Sequence, residues 1–189
     1  MGEVFAIAGA LFMGIPLPLL PAQIIWLNFV TDGFLDVALA MEPKEKGLLS
    51  GSFERPKKYL IDKLMAYRMI IMAVPMAVGA LYLFSRYYET DMAKAWTMAL
   101  TVLAVFQWFN AWNCRSEDKS IFKTNPLSNK FLVGATFIII ALQIFAVYNP
   151  VMQRILRTVP LALSEWLVII AIAASIVIVE ETRKFFYRR

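Results

Sequence analysis

Apolar residues fall into six blocks along the chain, at about residues 1–15, 22–41, 63–84, 92–112, 129–148 and 164–180, with polar stretches between them. A helix needs about 20 predominantly apolar residues to cross a hydrocarbon layer of about 30 Å, and the last five blocks approach that length. The first block, Met1 to Ile15, would reach only about 22 Å at 1.5 Å per residue, so it reads as the end of a span that starts upstream. Pro16, Pro18 and Pro21 interrupt any helix there and turn the first two blocks into a hairpin. Pro75 and Gly79 inside the third block predict a kink or a close helix contact, both of which membrane helices tolerate. Short loops are expected near Ser85 to Asp91, over Asn113 to Ser128, and around Pro150 and Pro160. The pattern predicts an all-α fold: one polytopic membrane helix bundle over residues 1–189, with about five full spans and one truncated span. No internal repeat or low-complexity tract is present.

Composition agrees with a bilayer environment, since 60% of the 189 residues are hydrophobic and 17% charged, against about half and about a quarter in a soluble domain. Met1 to Ile15 has neither a basic leading region nor a small-residue cleavage site, so it is not expected to be a signal peptide. A single cysteine, Cys114, excludes an internal disulfide, and the lack of histidine removes the usual ligand of zinc, copper and nickel. Any bound cation is therefore expected to be a hard one. The net charge of +5 does not point to nucleic acid, because the basic residues flank the apolar blocks. Seven lie between Glu42 and Arg68, four between Cys114 and Lys130, and four in the tail (Arg183, Lys184, Arg188, Arg189). Only Arg86, Lys94, Arg154 and Arg157 fall on the opposite side. The positive-inside rule then puts the C-terminus and the loops at Glu42 and Asn113 in the cytoplasm.

The second block carries the chemistry. Ionisable groups inside a bilayer cost several kcal/mol and mark ion or proton paths. Asn28, Asp32 and Asp36 recur every four residues on one helical face, with Thr31 three residues after Asn28. That stripe offers an amide oxygen, a hydroxyl and two carboxylates, the ligand mixture that a hard cation such as calcium takes. Gly33 is expected to let the helix unwind and free backbone carbonyls. Glu3 in the first block and Gln107 in the fourth, near Asn110 and Asn113, are placed to converge on the stripe. Polar residues also hold membrane helices together by hydrogen bonds, a role equally open to Gln107 and Asn110. Asp36 reads equally well as a helix-end charge.

The run from Pro21 to Gly33, PAQIIWLNFVTDG, continued by Leu39-Ala-Met-Glu-Pro43, resembles the sixth transmembrane helix of type II P-type ATPases, calcium pumps in particular. Gly2-Glu3-Val4 resembles their fifth helix, Glu54-Arg55-Pro56 their loop between helices six and seven, and Asn110 to Glu117 the end of helix eight. Trp166-Leu167 and Glu180 to Phe185 resemble helix ten, so the likeness runs from the end of helix five through helix ten. It implies cation binding by Asn28, Thr31, Asp32, Glu3 and Gln107, with Asp36 an additional candidate. Gln107 stands where reticulum pumps have glutamate, and Asp36 where calcium pumps usually have an uncharged residue.

The same resemblance defines what these 189 residues lack. No Asp-Lys-Thr-Gly-Thr phosphorylation sequence, Thr-Gly-Glu loop or Gly-Asp-Gly hinge is present, so the chain alone is expected to bind no cofactor and to hydrolyse no ATP. ATP and magnesium would act in the parent protein, with calcium the expected cargo. The implied partners are the lipid bilayer, the missing N-terminal helices and the cytoplasmic catalytic domains of the pump, with no nucleic acid. The implied location is a multi-pass position in the plasma membrane of a prokaryote. Two alternatives stay open at this point: a stand-alone non-catalytic membrane subunit, and a passive cation or proton pathway along Asp32 and Asp36.

Overall fold

The computed structural model describes residues 1–43, 63–116 and 120–187. The loop motif at Glu54 to Pro56 and the lysines between Lys44 and Lys58 lie outside the described residues, as do Glu117 and the last two arginines. Helix α1 (Gly2–Met13) ends on Gly14, whose left-handed backbone (φ 66°, ψ 24°) returns its N–H to Ala10 and Leu11, a conformation that glycine adopts without strain. After the proline turn, Pro21 occupies the first position of α2 (Pro21–Trp26), and the rod continues through a π-helical turn (Leu27–Asp32) into α3 (Gly33–Ala40). Then follow α4 (Lys63–Tyr87), α5 (Met92–Asn113), two single 3-10 turns, α6 (Lys130–Tyr148), α7 (Pro150–Leu156) and α8 (Leu163–Tyr187). Among the described residues every regular element is helical.

Among the described residues five rods are long and apolar enough to cross a membrane: Pro21–Ala40, Met65–Tyr87, Met92–Asn113, Lys130–Tyr148 and Leu163–Phe186. The shorter apolar helix Gly2–Met13 joins them. Local chemistry starts these helices. The side chains of Asp91, Asn129 and Asn149 each accept a hydrogen bond from a backbone N–H in the first turn that follows, satisfying donors that a helix start otherwise leaves bare. The loop expected from Ser85 begins later, because α4 runs on to Tyr87. The loop between the last two spans contains α7, begun by the Asn149 cap and Pro150. The last span continues past residue 180 to Tyr187.

Helix α5 is the axis of the bundle. Every residue from Thr97 to Phe106 is buried, as expected for a helix packed on all sides. Helices α4 and α8 pack against it, and α1 against α4, burying Met76, Ala80, Leu83, Leu100, Leu103, Phe106, Ala173 and Ile176 together. On the other flank α3 and α6 close against α5 through Leu35, Ala38, Ala111, Leu132 and Ile139. Small residues allow the closest approach. Gly79 of α4 faces the Phe106 ring and Ile172 so tightly that a Cβ there would lie 2.8 and 2.9 Å from them.

Candidate cation site

Three helices meet at the polar stripe. Asn28 Nδ2 in the π turn donates to Glu3 Oε2 of α1 at 3.3 Å and to the Ile24 carbonyl at 2.9 Å. Both bonds use the amide nitrogen, and a hard cation would use the oxygen Oδ1. Gln107 of α5 approaches the same Glu3 carboxylate, and Asp32 lies within electrostatic reach of Glu3 and Asp36. Thr31 is buried beside them, while Asp32 is half-buried. Glu3, Asn28, Asp32 and Gln107 are thus gathered from three elements. Asp36 sits one turn further along α3, is exposed, and lies within electrostatic reach of Cys114 towards the Glu42 end of the bundle.

Five buried side-chain polar atoms of the described residues lack a partner: the acceptors of Glu3, Gln107, Asn110 and Asn113, and the donor Trp108 Nε1. Glu3 Oε1, Gln107 Oε1 and Asn110 Oδ1 are all buried without a hydrogen-bond donor, although buried polar atoms nearly always find partners. The three on Glu3, Gln107 and Asn110 are oxygens, which a cation or a water molecule can satisfy. Among the described residues no three acidic, cysteine or histidine side chains form a metal-binding group. The carboxylates supply part of a cage, and amide, hydroxyl or backbone oxygens must supply more. Asn110, which lies three residues after Gln107 on α5, joins the predicted set on this ground.

The backbone departs from the expected unwinding. Gly33 is α-helical (φ −56°, ψ −46°), and its N–H reaches back five residues to the Asn28 carbonyl. The irregularity lies just before it, in the π turn that holds Asn28, Thr31 and Asp32. Single π turns within α-helices are frequent at functional sites. A Cβ built on Gly33 would meet only the Asn28 carbonyl, at 3.7 Å, an ordinary van der Waals contact.

Both ends of this rod are pinned. At one end the buried Gln23 accepts from Leu20 N–H at 3.1 Å and donates to the Leu156 carbonyl at 2.8 Å, and Trp26 Nε1 donates to Gln143 at 3.1 Å. At the other, Glu42 takes three bonds of 2.8–3.1 Å from Arg115 and one of 2.7 Å from Asn129, which also donates to the Ala38 carbonyl at 3.0 Å. Burial opposes the charge on Glu42, but the bonds from Arg115 and Asn129 outweigh it and hold its carboxyl below the usual glutamate range. A second node joins α4, α5 and α8: the fully buried Glu180 pairs with Arg68 and Arg183 at 2.8 Å, and Lys184 donates to the Asn113 carbonyl at 3.0 Å. Neither node was predicted. Glu42 and Arg115 lie 73 residues apart, and no local spacing signals such a pair.

Residues 16–186 match the family described as "Cation transporting ATPase, C-terminus". A calcium-transporting ATPase of Bacillus subtilis (strain 168) is 30% identical over 177 residues, covering 92% of this chain and 20% of the relative. A probable cation-transporting ATPase F of Mycobacterium bovis is 30% identical over 186 residues, 96% of this chain and 20% of the relative. Calcium-transporting ATPase 1 of Saccharomyces cerevisiae is 31% identical over 182 residues, 93% of this chain and 19% of the relative. The chain spans about a fifth of the length of the curated relatives it matches.

Proposed function

The chain belongs to the family of cation-transporting ATPase C-terminal regions, and from that premise we propose that it is the membrane portion of an ATP-driven calcium pump, supplying Glu3, Asn28, Thr31, Asp32 and Gln107 to an intramembrane cation site. The observation that carries this reading is the trio of buried acceptor oxygens on Glu3, Gln107 and Asn110, none of which has a donor. The Glu3 carboxylate lies beside Asn28, Asp32 and Gln107 in a bundle whose five described rods have membrane-spanning length. The named relatives in Bacillus subtilis and Saccharomyces cerevisiae transport calcium, and a mixture of carboxylate and neutral oxygens suits that ion.

The remaining ligands come from outside these residues. Asn28 and Asp36 are exposed on a face that also bears Ile25, Phe29 and Val37, 65%, 81% and 70% exposed. A carboxylate facing lipid is strongly disfavoured, so this face is where the missing N-terminal helices pack and close the cage. Phosphoryl transfer from ATP with magnesium belongs to the cytoplasmic catalytic domains of the same pump. The Glu42 end and the C-terminus face the cytoplasm by the distribution of basic residues, in the plasma membrane of a prokaryote. Gln107 drops one charge from the site, which weakens a two-ion stoichiometry, and Asp36 adds one a turn away.

The test is calcium binding by the full-length pump that contains these residues. Asp32→Asn is expected to abolish binding, and Gln107→Glu to raise the number of ions bound. Binding unchanged in Asp32→Asn, or absent from the wild type, would refute calcium binding at this site.

A further inference from the structure

The rod that carries the cation ligands is held at both ends by side chains of other helices, and its only irregular turn lies between the two anchors. Gln23 and Trp26 tie its start to Leu156 and Gln143. Beyond its end, Glu42 receives Arg115 Nε and Nη2. The guanidinium is itself fixed, with Nη2 donating to Ser128 Oγ at 2.6 Å and Nη1 to the Asn125 carbonyl at 3.2 Å, over the Trp112 ring. Its side chain is only 2% exposed. Asn129 bonds both Glu42 and the Ala38 carbonyl, and its own Oδ1 caps α6.

A π turn fits one more residue into the same axial length than an α turn, so a helix pinned at both ends can retain it only while neither end slides or rotates. Release of one end lets the extra residue relax out. Residues on the released side then advance by one position, a rotation of about 100° and a shift of about 1.5 Å. Asn28, Thr31 and Asp32 all lie inside the π turn, about 15–21 Å from Glu42 along the rod at 1.5 Å per residue, so a change of register at that end would turn their oxygens relative to Glu3 and Gln107.

We propose that the Glu42–Arg115–Asn129 lock is a positioning device that holds the Leu27–Asp32 turn in its π register and thereby sets the affinity of the cation site. Arg115 is a positioning residue here and contacts no ligand of the site. Its planar fork matters as much as its charge, because three of its donors serve Glu42, Ser128 and Asn125 at once. The inference rests on the pump reading above.

The experiment uses the full-length pump and measures phosphoenzyme formed from radiolabelled ATP as a function of free calcium. Arg115→Gln and Glu42→Gln are expected to raise the calcium concentration for half-maximal phosphoenzyme by about fivefold or more, with the maximal level retained. Arg115→Lys, which keeps the charge and loses the fork, is expected to fall between those variants and the wild type. Tyr148→Phe, which removes the bonds to the Leu161 carbonyl and from Trp166 Nε1 at the other end of α6, serves as the control for general destabilisation and is expected to leave the calcium dependence unmoved. An unshifted calcium dependence in Arg115→Gln and Glu42→Gln overturns the inference while leaving the pump reading intact, as does an equal shift in Tyr148→Phe. If Arg115→Gln does not accumulate, Glu42→Gln and Arg115→Lys decide by the same criterion. A wild type that forms no calcium-dependent phosphoenzyme overturns the pump reading and the inference with it.

Discussion

Substituting Gly79 by alanine tests the central packing of the bundle. The added Cβ would lie 2.8 Å from Phe106 Cε2, 3.0 Å from Phe106 Cζ and 2.9 Å from Ile172 Cγ2, inside any distance that carbon atoms tolerate. Relief cannot come from a free chain end: Phe106 is fully buried in α5, and the Ile172 methyl belongs to a β-branched side chain that is stiff at χ1. Overpacking of this kind costs about 1–3 kcal/mol. Replacing a helical glycine by alanine returns up to about 1 kcal/mol, so the net expectation is a loss of up to about 2 kcal/mol, and of about 1–3 kcal/mol relative to the same change at an unobstructed helical glycine. Gly134 of α6 has nothing within 4 Å of a built Cβ, and Gly134→Ala receives the helical gain alone. Unfolding in mixed micelles with increasing dodecyl sulfate, followed by tryptophan fluorescence, reads both variants against the wild type. Adding Phe106→Leu to Gly79→Ala is expected to recover part of the loss, with a coupling above about 0.5 kcal/mol. If Gly79→Ala unfolds no earlier than Gly134→Ala, the tight three-helix contact does not exist and the reasoning fails.

Two further outcomes follow from the charged nodes. Glu180→Gln leaves Arg68, Arg183 and Lys184 without their shared, fully buried carboxylate, and the same unfolding titration is expected to show a loss of about 3–5 kcal/mol; a loss under about 1 kcal/mol would mean that the node is solvated. The depressed titration of Glu42, which arises where the bonds from Arg115 and Asn129 outweigh burial, gives a stability contribution that is fully present above the unfolded glutamate value of about 4.3. It is lost as pH falls through the lower folded value. The stability difference between wild type and Glu42→Gln is therefore expected to be constant from neutral pH to about 5 and to shrink below about 4; a pH-independent difference would show that the lock does not rely on the ionised carboxylate.

The spans were legible in the sequence because bilayer thickness imposes a length and an apolar content on any helix that crosses it. Each block can be counted without knowledge of its neighbours. The spacing of Asn28, Thr31 and Asp32 was a local signal of the same kind, although the π turn leaves Asn28 exposed and Thr31 buried. The short helix α7 was also written locally, in the Asn149 cap followed by Pro150, although a search for long apolar blocks passes over it. The π turn and the lock were not legible. Glu42 finds Arg115 across 73 residues, and Gln23 finds the Leu156 carbonyl across 133, so no window of sequence contains both partners. The expected unwinding at Gly33 failed on the same point: glycine permits a break, but a helix held at both ends absorbs the mismatch where its anchors dictate. Local spacing determined which polar oxygens lie close together along the second span, whereas only the tertiary contacts decided that Glu3 of α1 and Gln107 of α5 meet them, because residues so far apart in sequence are joined by helix packing alone.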